Sequence, residues 1–434
     1  MRPLRFFFPL LVLSGPPPIA AQDTPWTLAA AVAEARAHSP EARMAAARIE
    51  RAAALLGQAA SPRLPQVKLT AGYTQTNNPM MAFGAILNQG AFSPTIEFNH
   101  PGQTDNFNLT GTIAYPLYNG GRTAAGLAAA ESGATASVHD RDATLAQLDL
   151  AVARAYYGIR QTRAGLTALD AAVASYDESL RVARLRFDAG QLLRSEVLNL
   201  EVQLAETREQ QLAARHQAAL AARQFLFLLG QPINETVALS ENDAGLSLPD
   251  ALAPTARPER LAHAARIAAA EQQLVVARGS QSPGVNAFAS YQLDHGWRRD
   301  GSGDSWMAGV QAEWHVFDGQ AGASRVREAR ARLDEAKAGL DQLQLALDLE
   351  LEQARLAHQL AVEQLAVTAS LVEQAEEAAR ISRARFEAGG LLSTELIGAE
   401  TRLTSARFRR AVAIAAEQVA AAQLRHAAGL PLLP

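Results

Sequence analysis

Cysteine is absent from the 434 residues. That removes disulfides, thiolate metal sites, cysteine nucleophiles and lipidation through an N-terminal cysteine together. No excess of one charge exists either: 40 Lys and Arg stand against 44 Asp and Glu, a net charge of −4. Nothing basic favours nucleic acid as a partner. Long apolar runs are missing too. Beyond the first residues no stretch of ~18 apolar residues occurs, and mean hydropathy is −0.06, so a bundle of transmembrane helices is excluded. The nine histidines are scattered without an HExxH pattern. No Gly-rich phosphate loop and no nucleophile paired with a base can be nominated. Catalysis, a cofactor and a metal site are therefore not expected.

The beginning of the chain reads as an export signal over residues 1–21. Arg2 and Arg5 supply positive charge, Phe6 to Leu13 an apolar core, and Ile19-Ala20-Ala21 a small-residue cleavage site. Pro16-Pro17-Pro18 interrupts the run too early for a buried helix.

An internal repeat organises the remainder. RFDAGQLLRSEVLNLE from Arg186 matches RFEAGGLLSTELIGAE from Arg385 at an offset of 199. The same offset aligns YPLYNG at Tyr115 with WHVFDG at Trp314, and Gly230-Gln231-Pro232 with Gly429-Leu430-Pro431. Upstream, Pro40-Glu41, Pro65 and Tyr73 match Pro258-Glu259, Pro283 and Tyr291 at an offset of 218, so the first copy carries 19 extra residues between Tyr73 and Tyr115. The first unit covers 22–257, including a linker over 233–257, and the second covers 258–434.

Each unit starts with an Ala-rich helical stretch, about Leu28 to Ala60 or Pro258 to Arg278, ending at a proline. Period-two alternation follows. Val67, Leu69, Ala71 and Tyr73 alternate with polar residues; Phe107, Leu109, Ile113 and Tyr115 alternate with Asn108, Thr110 and Thr112; Trp306, Ala308, Val310, Ala312 and Trp314 alternate with Gln311, Glu313 and His315. Such strands have one dry and one wet face, and ~10 residues suffice to cross a bilayer at a tilt. Tyr73, Tyr115, Trp306 and Trp314 are the aromatics expected at the membrane interface. Asn119-Gly120 and Asp318-Gly319 end the strand pairs.

From Arg122 to Asp188 apolar residues recur every three or four positions without a proline. At 1.5 Å per residue this predicts a rod on the order of 100 Å long, longer than a globular core needs. The rod stops at the left-handed cap Gly190, or Gly389 in the second unit, and restarts at Ser195 or Thr394 as N-caps with Glu196 or Glu395 in the first turn. Four amphipathic strands cannot close a membrane barrel, the smallest of which need ~8, and open edges in lipid leave backbone groups without partners. A barrel shared among chains is expected; three would contribute twelve strands and twelve helical rods.

The Arg-Phe-x-Ala-Gly hairpins followed by Ser-Glu or Thr-Glu, the Tyr-Asn-Gly and Phe-Asp-Gly strand ends and the Gly-x-Pro closes resemble the TolC family of outer-membrane efflux proteins, from about Trp26 to Pro431. The resemblance implies a mainly α homotrimer, in which a 12-stranded β-barrel in outer-membrane lipid continues into a long periplasmic α-helical barrel. It implies an exit channel for efflux or secretion, with a periplasmic adaptor (membrane fusion) protein and an inner-membrane pump as partners. The adaptor would dock at the tips, Asp188, Ala189, Gly190, Ser195 and Glu196, with Glu387, Ala388, Gly389, Thr394 and Glu395. The family's acidic pair at the periplasmic constriction matches Glu395, six residues after the tip glycine, but its second position is Gly398 here. Asn108, Thr110, Thr112, Gln311 and Glu313 would face the lumen. The 31 residues from Gln75 to Asp105, with Met80, Met81, Phe83 and Phe92, are expected to be an extracellular loop over the mouth rather than a metal or ligand site. The alternatives are a barrel-anchored trimeric coiled coil with a structural or adhesive role, which would need one anchor segment at a chain end, and a soluble periplasmic coiled-coil adaptor, which would lack lipid-facing strands.

Overall fold

The structure, a computed structural model, describes residues 25–240, 245–248 and 257–433. The expected export signal and part of the linker lie outside the described residues. The chain opens with α1 (Leu28–His38) and α2 (Pro40–Ala60). Where a single helix was expected, Ser39 ends α1 in an extended conformation and its hydroxyl accepts from the N–H of Ala42, so it caps α2 while Pro40 occupies the first helical position.

Strand β1 (Gln66–Thr76) pairs antiparallel with β2 (Thr104–Tyr118), and the segment between them carries α3 (Pro79–Asn88). A loop is expected here from the sequence, and the structure has a helix in it. Its helix begins on an Asn-Pro signal, with the Asn78 carboxamide accepting from the N–H groups of Met80 and Met81. The loop is also shorter than 75–105, because Gln75 pairs with Asp105 and Thr76 with Thr104.

Next come α4 (Arg122–Asp188), α5 (Arg194–Leu229), α6 (Pro258–Gly279), β3 (Gly284–Gly296), β4 (Gly301–Glu313), α7 (Ala321–Glu387) and α8 (Ser393–Ala427). Both α4 and α7 run for 67 residues. The four strands form one antiparallel sheet in the order β1-β2-β3-β4, leaving one edge of β1 and one of β4 open. Among the described residues no helix is long and apolar enough to cross a membrane.

Among the described residues the two larger apolar clusters hold the rods. One joins α1, α4, α5 and α8 through Val32, Tyr156, Ile159, Phe225, Leu229 and Ala422. Beside it the backbone of Trp26 exchanges hydrogen bonds with Ala238 and Ser240, so linker residues are tied to the start of the chain. The other lies toward the hairpin ends and joins Tyr176, Leu180, Val197, Leu200, Phe386 and Leu396. Ion pairs between the helices recur at the 199-residue offset: Arg184–Glu201 with Arg383–Glu400, and Arg208–Asp177 with Arg407–Glu376.

The helices after the tips start two residues earlier than expected. Leu193 and Leu392 occupy the N-cap positions and supply no side-chain acceptor, so Ser195 and Thr394 fall inside the first turn. The acceptor for α8 comes from elsewhere, as described below.

Candidate functional site

The register sorts the sheet into two faces, because directly opposed residues share a side. Asn108 stands opposite Gly72 and Asp294, Thr110 opposite Thr70 and Gln292, and Thr112 opposite Lys68 and Ser290. Gln311 opposes Asn286 and Glu313 opposes Gly284. All five residues expected at the lumen therefore share one polar face. Near the loop end of that face lies Asp294, which the sequence reading missed. This carboxylate is buried and accepts from Asn106 (2.6 Å), Asn108 (3.0 Å) and Gln292 (3.1 Å). The alternation Gln292-x-Asp294 was the available signal.

The opposite face is apolar and open. Leu69 is 71% exposed and Trp306 77%. Tyr73, Tyr115 and Trp306 lie on this face; Trp314 follows the last residue of β4 and donates its ring N–H to the carbonyl of Gln281. Trp306 sits opposite Tyr291 in mid-strand rather than near an end.

The segment carrying α3 packs on the polar face, at the end of the sheet away from the long helices. Gln89 donates to the carbonyl of Asp105 and to the Asn106 side chain. Gly303, opposite Asp294, has no room for a side chain, because a Cβ would overlap the carbonyl of Asn88; at Gly296 it would strike Gln89. Backbone from the loop thus rests directly on the polar face of the β3–β4 hairpin. Met80 and Met81 remain exposed at its surface.

At the other end the structure brings the two helix-hairpin tips side by side. Asp188, Ala189, Gly190, Ser195, Glu387, Ala388, Gly389, Thr394 and Glu395 are exposed, and Glu196 is half-buried. Gly190 (φ +71°) and Gly389 (φ +85°) adopt the left-handed conformation that favours glycine. The backbone N–H of Ser393, at the start of α8, donates to Oε2 of Glu196 at 2.7 Å. Glu196 therefore stabilises the positive end of the neighbouring hairpin's helix. Arg186 reaches the other side of the same turn, the C-terminal end of α7: its guanidinium donates to the carbonyl of Phe386 at 2.7 Å and lies over the Phe386 ring. Sequence reasoning did not nominate Arg186, although its recurrence as Arg385 marked it.

Midway along the rods a buried charge cluster ties α6, α7 and α8 together. Arg257 pairs with Glu259 (2.8 Å) and Glu350 (3.0 Å), and lies 3.4 Å from Nε2 of His426. Burial opposes the Arg257 charge, but its two carboxylate partners outweigh that and raise its pKa. Burial would likewise raise Glu259, yet the hydrogen bond from Arg257 and its charge hold it below the usual range. His426 is pushed down by burial and by Arg257, against the smaller pull of Glu350 and Glu259.

The sequence matches the family of outer membrane efflux proteins over residues 31–231 and 252–430. Protein CyaE of Bordetella pertussis is 28% identical over 438 residues, which cover 95% of this chain and 86% of that protein. The outer membrane protein VceC of Vibrio cholerae has a similar structure, with a TM-score of 0.79 at 21% identity over 93% of this chain and 96% of VceC. The Campylobacter jejuni outer membrane channel CmeC is similar with a TM-score of 0.78 at 17% identity, over 93% of this chain and 85% of CmeC. Since the family match spans most of its length, the chain belongs to the outer membrane efflux proteins, and its place is the outer membrane of a Gram-negative cell, reaching into the periplasm.

Proposed function

We propose that three copies of this chain assemble into an outer-membrane exit channel for efflux or secretion. The observation that carries the reading is the open sheet: four strands, two free edges and an exposed apolar face. In lipid the edge N–H and C=O groups need strand partners, and other copies supply them. Three sheets of four strands make a 12-stranded barrel, with Asn108, Thr110, Thr112, Gln311 and Glu313 lining the lumen and Tyr73, Tyr115, Trp306 and Trp314 meeting lipid.

Helix packing supports the same assembly. Leu349, Leu356 and Val367 on α7 are 59%, 60% and 68% exposed, whereas the residues 199 positions earlier, Leu150, Tyr157 and Ala168, are buried on α4. A neighbouring copy would cover α7 as this chain covers α4. The units 22–257 and 258–434 then alternate around the barrel as two versions of one element. The recurring ion pairs support that division.

The exposed tips are the docking surface for a periplasmic adaptor, which links the channel to an inner-membrane pump. Glu395 from each copy forms the acidic periplasmic constriction, with Gly398 leaving the second position of the ring uncharged. The loop carrying α3 narrows the outer mouth. The role is passage of cargo rather than catalysis.

Two measurements test this. Purified protein in a planar bilayer should give discrete conductance steps, and a bilayer that stays sealed would overturn the channel. A labelling reagent that does not enter intact cells should reach a cysteine placed at Met81. Labelling only after the outer membrane is breached would reverse the proposed orientation.

A further inference from the structure

Within one chain the first tip grips the second with two groups. Glu196 accepts from the N–H of Ser393, and Arg186 donates to the carbonyl of Phe386. The residues 199 positions on are Glu395 and Arg385. Both are exposed, and among the described residues neither side chain has a hydrogen bond or ion pair. Their matching targets are also open. Leu193 leaves the start of α5 without a side-chain cap. The Phe187 carbonyl accepts only from the local turn, and the residue is 36% exposed where Phe386 is 1% exposed, although Arg194 of the same chain already lies over the Phe187 ring at 5.8 Å.

We infer that the second tip grips the first tip of the next copy in the same way. Glu395 accepts from the N–H of the neighbouring Arg194, and Arg385 donates to the neighbouring Phe187 carbonyl. The occupant of the exposed second tip is thus a second copy of this chain, presenting a helix N-terminus and an unfilled carbonyl lone pair. The inference rests on the trimer proposed above and adds the atoms that join its periplasmic end. It also gives the Glu395 carboxylates a fixed place, each held at a helix N-terminus.

The two seams differ above the tips. Inside the chain Tyr176 contacts Thr401 at 3.2 Å, and Phe408 packs against Gly165. The matching pairs are Ala375 with Val202 and Gln364 with Glu209. Neither reproduces those contacts, so at this level the seam between copies packs differently from the seam within the chain.

Because the chain has no cysteine, paired cysteines report the seams without background. Glu395→Cys with Arg194→Cys, treated with a short bis-maleimide, should shift the denatured band from monomer to covalent dimer and trimer. Arg385→Cys with Phe187→Cys should do the same. Glu196→Cys with Ser393→Cys should cross-link internally and stay at monomer mass. A particle that is trimeric by native mass but yields only monomer bands from the first two variants overturns the seam and leaves the trimer standing. A particle that is not trimeric overturns both.

Discussion

Alanine at Gly190 and alanine at Gly230 should have unequal effects, although both glycines are left-handed, at φ +71° and +72°. An L-residue in this conformation costs ~1–2 kcal/mol. At Gly190 nothing lies within 4 Å of the added Cβ, so that cost stands alone and is confined to the tip. At Gly230 the Cβ would come 2.6 Å from the carbonyl oxygen of His38 and 3.2 Å from Cα of Ser39. Both are backbone atoms, which cannot swing aside, and overpacking of this kind adds ~1–3 kcal/mol. Gly230→Ala should therefore cost ~2–5 kcal/mol in total, at the junction of α1, α2 and α5. The assay is the apparent thermal midpoint of the solubilised protein at one heating rate, since unfolding of such an assembly is governed by rate. Gly190→Ala should lower it little and Gly230→Ala markedly; equal losses would refute the reasoning. At the tips, a Gly190→Val, Gly389→Val double variant should keep its oligomeric state yet lose adaptor binding. Normal export by that variant would make the turns ordinary connectors.

Lowering pH should loosen the cluster around His426. Its folded pKa lies below its ordinary value of 6.5, so the neutral-ring stability is fully present above that value and falls as pH drops toward the folded pKa. The midpoint should decline below about pH 6.5 in the wild type and less steeply in His426→Gln; parallel curves would exonerate the histidine. At the α1–α4 contact, Asp149 is 3% exposed and bonded by Arg36. Arg36→Leu should cost ~3–5 kcal/mol by leaving a buried charge, and adding Asp149→Leu should recover most of it. No recovery in the double variant would show that packing, not charge, sets the loss. Finally, Glu395→Gln should reduce cation selectivity at low salt, where the Debye length is about 30 Å at 0.01 M, because a ring of carboxylates attracts cations. Unchanged reversal potentials would remove Glu395 from the conducting path.

Most of the backbone was legible because its signals are local. The proline-free run of three- and four-residue spacings marked α4 at Arg122–Asp188, and glycines at 190, 230, 389 and 429 marked helix ends. Alternation assigned Asn108, Thr110, Thr112, Gln311 and Glu313 to one face. The failures were of two kinds. The breaks at Ser39 and Asn78 carry capping residues followed by proline, but these single signals sit inside stretches that are otherwise uniformly Ala-rich or loop-like. What satisfies the start of α8 could not be read by local rules, because its acceptor is Glu196, 197 residues away on the other hairpin. The buried cluster of Arg257, Glu350 and His426 is of the same kind: three helices bring it together and no spacing announces it.

The copy number and strand count of the purified particle test the central claim most directly. Electron microscopy of the protein in lipid nanodiscs should show three copies around one axis, a single barrel of twelve strands and one lumen continuous with the helical tube. A particle in which one chain, or any number other than three, surrounds a closed barrel would contradict the account.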